Sequence, residues 1–189
     1  MKELRPAILM LVIFTVICGG IYPAVVTGVA QAVFPKRAAG SFVTDKSGRA
    51  IGSTLIGQPF SEQKYFWPRP SATGDFAYNP LASGGSNAGP TNPAYLKAVA
   101  DRVTALRNSG AVGPIPADLA QASASGLDPH ILPEAAMLQV ARVAKARGIP
   151  EERLRALVIG HSEGRQLGFL GAPRVNVLVL NLDLDRGDR

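Results

Sequence analysis

Residues 6–35 read PAILMLVIFTVICGGIYPAVVTGVAQAVFP, and no charged side chain lies between Arg5 and Lys36. At about 1.5 Å of rise per residue, two dozen of these residues would span roughly 36 Å as a helix, more than the roughly 30 Å of bilayer hydrocarbon. A helix is the form in which a single span satisfies its own backbone hydrogen bonds in lipid. The sequence therefore predicts a short tail over residues 1–6 and one transmembrane helix over residues 7–34.

A cleaved signal peptide is the alternative interpretation of this segment. Lys2 and Arg5 supply a basic start, and residues 30–32 read AQA, which resembles a cleavage site. The apolar part of a signal peptide is about 7–15 residues long, and this run is much longer, so a retained span is favoured. Pro23 removes one backbone hydrogen bond from the span, and we expect a bend there.

Small residues recur every fourth position along the span and would lie on one side of a helix. They are Gly20, Ala24, Gly28 and Ala32. Small side chains let a second helix approach closely in lipid, so this face is predicted to pack against a partner helix. The competing explanation is that glycine and alanine are common in membrane helices in any case.

Residues 35–189 are long enough for one soluble domain with its own core. From Lys36 onward the chain has 18 basic and 13 acidic side chains, a net charge of +5, and the basic residues are dispersed, which argues against nucleic-acid binding. Cys18, the only cysteine, lies in the span, and the chain has two histidines. This composition predicts no cysteine chemistry and no multi-histidine zinc site.

Local patterns predict an α+β domain after the span. Residues 41–44 and 50–56 are predicted to pair as a hairpin around the turn at 45–48. Helices are predicted to begin at Pro93, after an Asn92 cap, and at Pro133, and a third after Pro150. Residues 174–185 alternate between apolar and polar side chains, which predicts a strand with a helix as the alternative.

Residues 57–93 form a long segment without regular periodicity, rich in proline, glycine and serine but interleaved with aromatic residues. A disordered linker would lack those aromatics, so we predict an ordered loop with a function. Its candidate docking residues for a partner are Tyr65, Phe66, Trp67, Arg69 and Tyr78. The alternative is that Phe66 and Trp67 belong to the core of the domain itself.

Two other stretches carry residues typical of catalysis or phosphate binding. Ser125, Asp128 and His130 are a possible catalytic set, but no nucleophile-elbow motif is present, and a turn with Asp128 as a helix cap and Pro129 as the first helical residue is favoured. The glycine-rich run beginning Ser83-Gly84-Gly85 lacks the lysine of phosphate-binding loops, so a rigid loop packed on a partner is favoured. No catalytic residue and no metal site are predicted.

Several motifs outside the span occur in a fixed order along the chain. They are YFWPRPSA at 65–72, SGGSNAGPTNP at 83–93, SASGLDPHI at 123–131, GFLG at 168–171 and RVNVL at 174–178. Together with the single span, they make the chain similar to the C subunit (KdpC) family of the Kdp potassium-transporting ATPase. The resemblance covers nearly the whole chain.

The resemblance implies an accessory subunit without catalytic activity of its own in a bacterial high-affinity potassium pump. Its implied partners are a channel-like subunit that binds potassium, a P-type ATPase subunit, a small single-span subunit and the lipid bilayer. It also implies an N-terminus in the cytoplasm and a soluble domain outside the cytoplasmic membrane. The basic residues that flank the span slightly favour the opposite orientation.

The family is also described as a catalytic chaperone that raises the affinity of the ATPase subunit for ATP. Its nucleotide motif corresponds here to Ser83, Gly84 and Gly85, and ATP would be associated with the complex rather than with this chain as its own cofactor. Without the resemblance, the residues leave two other classes open. These are a membrane-anchored serine hydrolase that uses Ser125, Asp128 and His130, and a cell-surface binding module that uses the aromatic loop.

Overall fold

The computed structural model describes residues 3–45 and 47–187. It divides into two compact units, the first ending at Ser53 and the second beginning at Thr54. The soluble domain predicted from residue 35 therefore contributes its first segment to the unit that contains the span. Each unit is described by itself below.

The first unit is dominated by the apolar helix, which runs from Leu4 to Val33 and is long and apolar enough to cross a bilayer. Helix α1 (Leu4–Val16) continues through a π-helical turn (Ile17–Ile21) into helix α2 (Tyr22–Val33). The π turn ends two residues before Pro23, whose missing N–H and bulky ring disfavour a regular α-turn in the preceding residues. The helix begins inside the tail predicted over residues 1–6, of which residues 1 and 2 lie outside the described part of the chain.

A short helix and a hairpin complete the first unit. Helix α3 (Pro35–Ala38) follows, and strand β1 (Phe42–Thr44) pairs antiparallel with strand β2 (Ala50–Ser53). The Asp45 carboxylate closes the turn by accepting hydrogen bonds from the N–H groups of Ser47 and Arg49, at 2.9 and 3.0 Å. The predicted hairpin is confirmed, although its second strand ends at Ser53, and Lys46 of the predicted turn lies outside the described residues.

Helices and a small sheet build the second unit. The helices are α4 (Pro93–Asn108), α5 (Ala117–Ala120), α6 (Pro133–Arg147), α7 (Glu151–Gly160) and α8 (Val177–Gly187). Strands β3 (His130–Ile131), β4 (Ser162–Glu163) and β5 (Arg174–Asn176) form an antiparallel sheet in the order β3-β5-β4. The structure is thus one apolar helix followed by an α+β region, as the sequence predicted.

Helix α6 supplies much of the core of the second unit. Ala136, Val140 and Val143 recur on one face of the helix and are fully buried. Its last turn ends at Gly148, whose φ of 68° is a left-handed conformation that costs glycine little. The Asn92 side chain caps α4 by accepting from two backbone N–H groups, as predicted.

The C-terminal segment corrects a prediction. Only residues 174–176 of the strand predicted over 174–185 are extended, and α8 takes the rest. Leu180, Asn181 and Leu184 are buried and recur at helical spacing, whereas a strand would have turned Asn181 to the face opposite the leucines. The helix places the Asn181 amide inside the core, where it has a specific partner.

Candidate docking surface

The aromatic loop is attached to the core through Phe66. The Phe66 side chain is 0% exposed, and its backbone pairs with a side-chain amide of α8. The Phe66 N–H donates to Asn181 Oδ1 at 2.9 Å, and Asn181 Nδ2 donates to the Phe66 carbonyl at 2.9 Å. Asn181 therefore satisfies both backbone groups of a loop residue, as a neighbouring strand would.

A second amide holds the next residue in the same way. The Trp67 N–H donates to Gln139 Oε1 at 2.7 Å, and Gln139 Nε2 donates to the Trp67 carbonyl at 3.1 Å. We call Asn181 and Gln139, with these four hydrogen bonds, the amide clamp. It fixes an irregular segment without the regular hydrogen bonding of a helix or sheet.

The Trp67 indole is fixed from one side by Arg142. The guanidinium carbon lies 3.9 Å from the centre of the Trp67 ring, and Arg142 also donates to the Gln63 carbonyl at 2.6 Å and to Gln139 Oε1 at 2.6 Å. Burial lowers the pKa of Arg142 to about 10, so it remains cationic at neutral pH. Stacking of a partly desolvated cation on indole is favourable, which fixes the ring orientation.

Tyr78 is the second buried aromatic of the loop, after Phe66. Its hydroxyl donates to the Arg69 carbonyl, and its N–H donates to Ser71 Oγ at 2.9 Å. A Cβ at Gly57 would lie 2.3 Å from the Tyr78 ring, so the close approach of chain and ring requires glycine at that position. Burial raises the pKa of the Tyr78 phenol.

These contacts revise the predicted docking residues. Phe66 and Tyr78 are buried inside the second unit, which makes them core residues rather than exposed docking side chains. Tyr65, Trp67 and Arg69 are partly exposed, and their role in docking a partner stays a prediction. The Tyr65 hydroxyl donates to Asp185 Oδ2 at 3.1 Å, and burial together with this carboxylate raises its pKa.

The exposed side of the clamped loop is a shallow apolar groove of about 370 Å³, which we call the proline groove. Its walls include Phe60, Trp67, Pro68, Arg69, Pro70, Ala77 and Tyr78. Prolines and fixed aromatic rings lose little conformational freedom on binding, so such a surface favours association with another protein.

A charged groove of about 440 Å³ shares Arg69 with the proline groove. Asp128 lies between Arg69 at 3.2 Å and His130 Nδ1 at 3.3 Å. Burial alone would raise the pKa of Asp128, but the hydrogen bonds and charge of His130, with Arg69, outweigh it and hold that pKa below its ordinary value. Burial raises the pKa of Asp118 in the same groove.

The alternative catalytic set of Ser125, Asp128 and His130 is not brought together by a hydrogen bond from the serine to the histidine. Asp128 and His130 pair, but the Ser125 hydroxyl belongs to its own turn, where it lies 3.4 Å from Ser123 Oγ and accepts from the Leu127 N–H at 3.2 Å. The predicted helix cap at Asp128 is also wrong. Its carboxylate accepts from the His130 N–H at 3.0 Å, and His130 begins strand β3 rather than a helix.

The Ser83-Gly84-Gly85 run is packed against the turn at 123–126. The Gly84 N–H donates to the Ser125 carbonyl at 2.9 Å, and Ser83 Oγ donates to the same oxygen at 3.1 Å. A Cβ at Gly85 would lie 3.1 Å from the Ala124 carbonyl oxygen. The run is thus packed against its own chain and the Gly84 amide is already engaged there, whereas packing of this loop on a partner stays a prediction.

The small residues of the apolar helix, Gly20, Ala24, Gly28 and Ala32, are exposed within the described part of the chain. A Cβ at Gly20 or Gly28 would have no atom within 4 Å, and the flanking side chains of the span are exposed. Within residues 3–45 and 47–187, no group of three or more histidine, cysteine, aspartate or glutamate side chains is placed to hold a metal ion.

The residues that sequence reasoning missed are Gln139, Arg142 and Asn181. Each is polar, yet each is buried within a helix whose neighbouring positions are apolar. In α6, Ala136, Val140 and Val143 surround Gln139 on the inward face. A polar side chain inside an apolar stripe was the available signal, because a buried polar group needs a partner.

Comparison with known proteins decides the family. A family model described as KdpC, the c chain of a K⁺-transporting ATPase, matches residues 4–186. The chain belongs to the KdpC family. It is an accessory subunit of a K⁺-transporting ATPase complex and not the catalytic ATPase itself.

Three relatives illustrate the closeness of the match, and each is called a potassium-transporting ATPase KdpC subunit. The protein from Geobacter metallireducens is 70% identical over 186 residues, with 98% of each chain covered. The Geobacter sulfurreducens protein is 71% identical over 185 residues with 98% of each chain covered. The Geotalea uraniireducens protein is 68% identical over 189 residues with full coverage of both chains. KdpC membership replaces the hydrolase and binding-module alternatives.

Proposed function

We propose that this KdpC-family chain assembles its complex by docking, through the proline groove on its second unit and the small-residue face of its membrane helix. The observation that carries the proposal is the amide clamp. Two buried amides hold residues 66 and 67 in a fixed, irregular conformation whose outer side is an apolar groove. A groove that is rigid before binding loses little entropy on association.

The proposed partners are a channel-like subunit that binds potassium, a P-type ATPase subunit and a small single-span subunit. The face formed by Gly20, Ala24, Gly28 and Ala32 packs against a helix of one of them. Small side chains there allow close backbone approach, which is the main source of helix affinity in lipid. The bulk of the span stays in contact with the bilayer.

The second unit is proposed to face the outside of the cytoplasmic membrane, with the N-terminus in the cytoplasm. The family resemblance supports this orientation, although the slight excess of basic residues after the span favours the opposite one. That excess carries little weight, because long domains translocate largely regardless of charge. Ser47→Cys in a Cys18→Ser background tests it. Labelling of intact spheroplasts by an impermeant maleimide is expected, and labelling only after membrane disruption would contradict the orientation.

ATP is proposed to belong to the complex and not to this chain. The Gly84 amide, which a phosphate would need, donates to Ser125 instead, and an external domain does not meet cytoplasmic ATP. If the family's chaperone effect on ATP affinity holds for this chain, it therefore acts through contacts between subunits.

The test places a charge in the proline groove without touching the core. Ala77 is exposed and lies in the wall of the groove, so Ala77→Glu leaves the amide clamp intact. We expect Ala77→Glu to lower the amount of assembled complex that co-purifies with the full-length chain and the potassium-stimulated ATPase activity of the membranes. ATP titration of the remaining complex reports the effect on apparent affinity.

The matched control is Leu81→Glu, because Leu81 is 95% exposed and lies outside the groove. It adds the same charge to the same loop and is expected to assemble normally. Full recovery of active complex with both Ala77→Glu and Ala77→Arg would overturn docking at the proline groove. Equal losses for Ala77→Glu and Leu81→Glu would do the same.

A further inference from the structure

The second unit carries an exposed apolar turn far along the sequence from the aromatic loop. We call residues 164–171 the apolar tip. Leu167 is 82% exposed, Phe169 69% and Leu170 47%. Every residue from 163 to 172 is exposed, so these side chains have no place in the core of their own unit. Contiguous large apolar side chains on a surface mark a contact with a protein or a membrane.

The apolar tip has a defined conformation. The Gln166 and Leu170 N–H groups each donate to the carbonyl of the other residue at 2.9 Å. Arg165 Nη1 donates to the Gly171 carbonyl at 2.8 Å, which closes the base of the turn. Leu167 has a φ of 53°, an unfavourable conformation for leucine, and its side chain gains no burial in return. The tip therefore projects apolar side chains outward from a turn that its own backbone hydrogen bonds hold in shape.

Its base is basic. Arg165 is exposed at the start of the tip, and Arg174 follows the tip in strand β5. The nearby acid, Glu163, is held by Arg174 at 2.8 Å. Leucine and phenylalanine projecting beyond arginine form the pattern of a segment that lies at a membrane interface, with the apolar side chains below the headgroups and the basic ones among phosphates.

The chain keeps this unit near a membrane. Residues 34–53 separate the end of the apolar helix at Val33 from the start of the second unit at Thr54. Twenty residues reach at most about 70 Å, and these reach less because they form α3 and the β1–β2 hairpin, while a compact unit of this size is roughly 36 Å across. Tethering of this kind turns a weak membrane contact into an intramolecular one with a high effective concentration.

We infer that the apolar tip inserts Leu167, Phe169 and Leu170 into the headgroup boundary of the same bilayer that holds the chain's own span. The lipid contact is separate from the proline groove and does not depend on docking there. Its occupant is the phospholipid surface, with Arg165 near the phosphates.

The test uses the full-length chain in vesicles of mixed phosphatidylcholine and phosphatidylglycerol. A nitrobenzoxadiazole label is attached at Phe169→Cys in a Cys18→Ser background. We expect its emission to shift to the blue, to be quenched by a nitroxide near the lipid headgroup and to resist quenching by aqueous iodide. The same label at Leu81→Cys is the control in water, and at Val12→Cys the control in lipid.

Each outcome decides the inference. Insertion is supported if the label at Phe169→Cys resists iodide as well as the label at Val12→Cys does and is quenched by the shallow nitroxide. Behaviour that matches Leu81 overturns it, because the tip is then in water. A label that is exposed in vesicles of the chain alone, and is shielded from both quenchers only in the assembled complex, also overturns it, since the tip then contacts a partner protein. Circular dichroism of each labelled variant checks that the fold is retained.

Discussion

The segment around Phe66 and the apolar tip around Phe169 are both short, irregular and rich in large apolar side chains, yet the first is buried and the second is exposed. In the first segment the backbone of Phe66 pairs with Asn181 of α8, 115 residues away, and that of Trp67 pairs with Gln139 of α6, 72 residues away. In the apolar tip the backbone pairs within residues 165–171. Whether an irregular apolar segment enters the core thus depends on whether other elements supply partners for its backbone.

Phe66→Ala should break the first region most severely. The side chain is fully buried in the core, so its removal leaves a cavity and loses the burial of a whole aromatic ring. We expect a loss of about 3–5 kcal/mol in the free energy of unfolding. Denaturant unfolding of the full-length chain in detergent, followed by circular dichroism, measures it. Phe76→Ala is the control, because Phe76 is 59% exposed in the same loop. A similar loss for both variants would show that burial does not distinguish them.

Gln139 tests the amide clamp itself with two substitutions of similar size. Gln139→Met leaves the backbone groups of Trp67 and one bond of Arg142 without their partner, and we expect a loss of about 2–4 kcal/mol. Gln139→Glu keeps an acceptor for the Trp67 N–H and for Arg142 but removes the donor to the Trp67 carbonyl. It should cost less, about 1–2 kcal/mol.

The same unfolding measurement ranks these two variants. The order of the two losses in unfolding free energy is more informative than either value, because both substitutions preserve the shape of the side chain. A Gln139→Met variant as stable as the unsubstituted chain would mean that residues 66 and 67 are held by apolar packing alone, and the contrast with the apolar tip would lose its basis.

The smallest effect on folding is expected at the apolar tip. Leu167→Ser with Phe169→Ser removes two large apolar side chains that the unit does not bury, so the free energy of unfolding measured in detergent should change by less than about 0.5 kcal/mol. A loss comparable with that of Phe66→Ala would show that the tip belongs to the core, and the comparison between the two regions would fail.

Local signals in the sequence located most of the helices. Pro93 after Asn92 and Pro133 mark helix starts that the structure confirms, because capping chemistry lies within a few residues of the helix end. The apolar run between Arg5 and Lys36 likewise defined the membrane helix. The hairpin was predicted from its turn, in which the Asp45 carboxylate accepts hydrogen bonds from the N–H groups of Ser47 and Arg49.

Interactions that are distant in sequence account for the errors. The alternation of Leu180, Leu182 and Leu184 resembled a strand, and only the pairing of Asn181 with Phe66 explains why a polar residue belongs on the buried side of a helix. The docking residues Phe66 and Tyr78 were expected at the surface for a related reason. No local sequence pattern indicates that side-chain amides of α6 and α8 bind the loop to the core.

The position of Trp67 has a spectroscopic consequence. It is the only tryptophan in the chain. Selective excitation at the red edge of the absorption band therefore produces fluorescence from one indole. That indole stacks on a guanidinium 3.9 Å from its centre, and its Nε1–H donates to the Glu62 carbonyl at 3.0 Å. The wavelength and polarisation of this emission therefore report the conformation of the loop at a single residue. The full-length chain carries a built-in optical probe for the approach of any molecule to the proline groove.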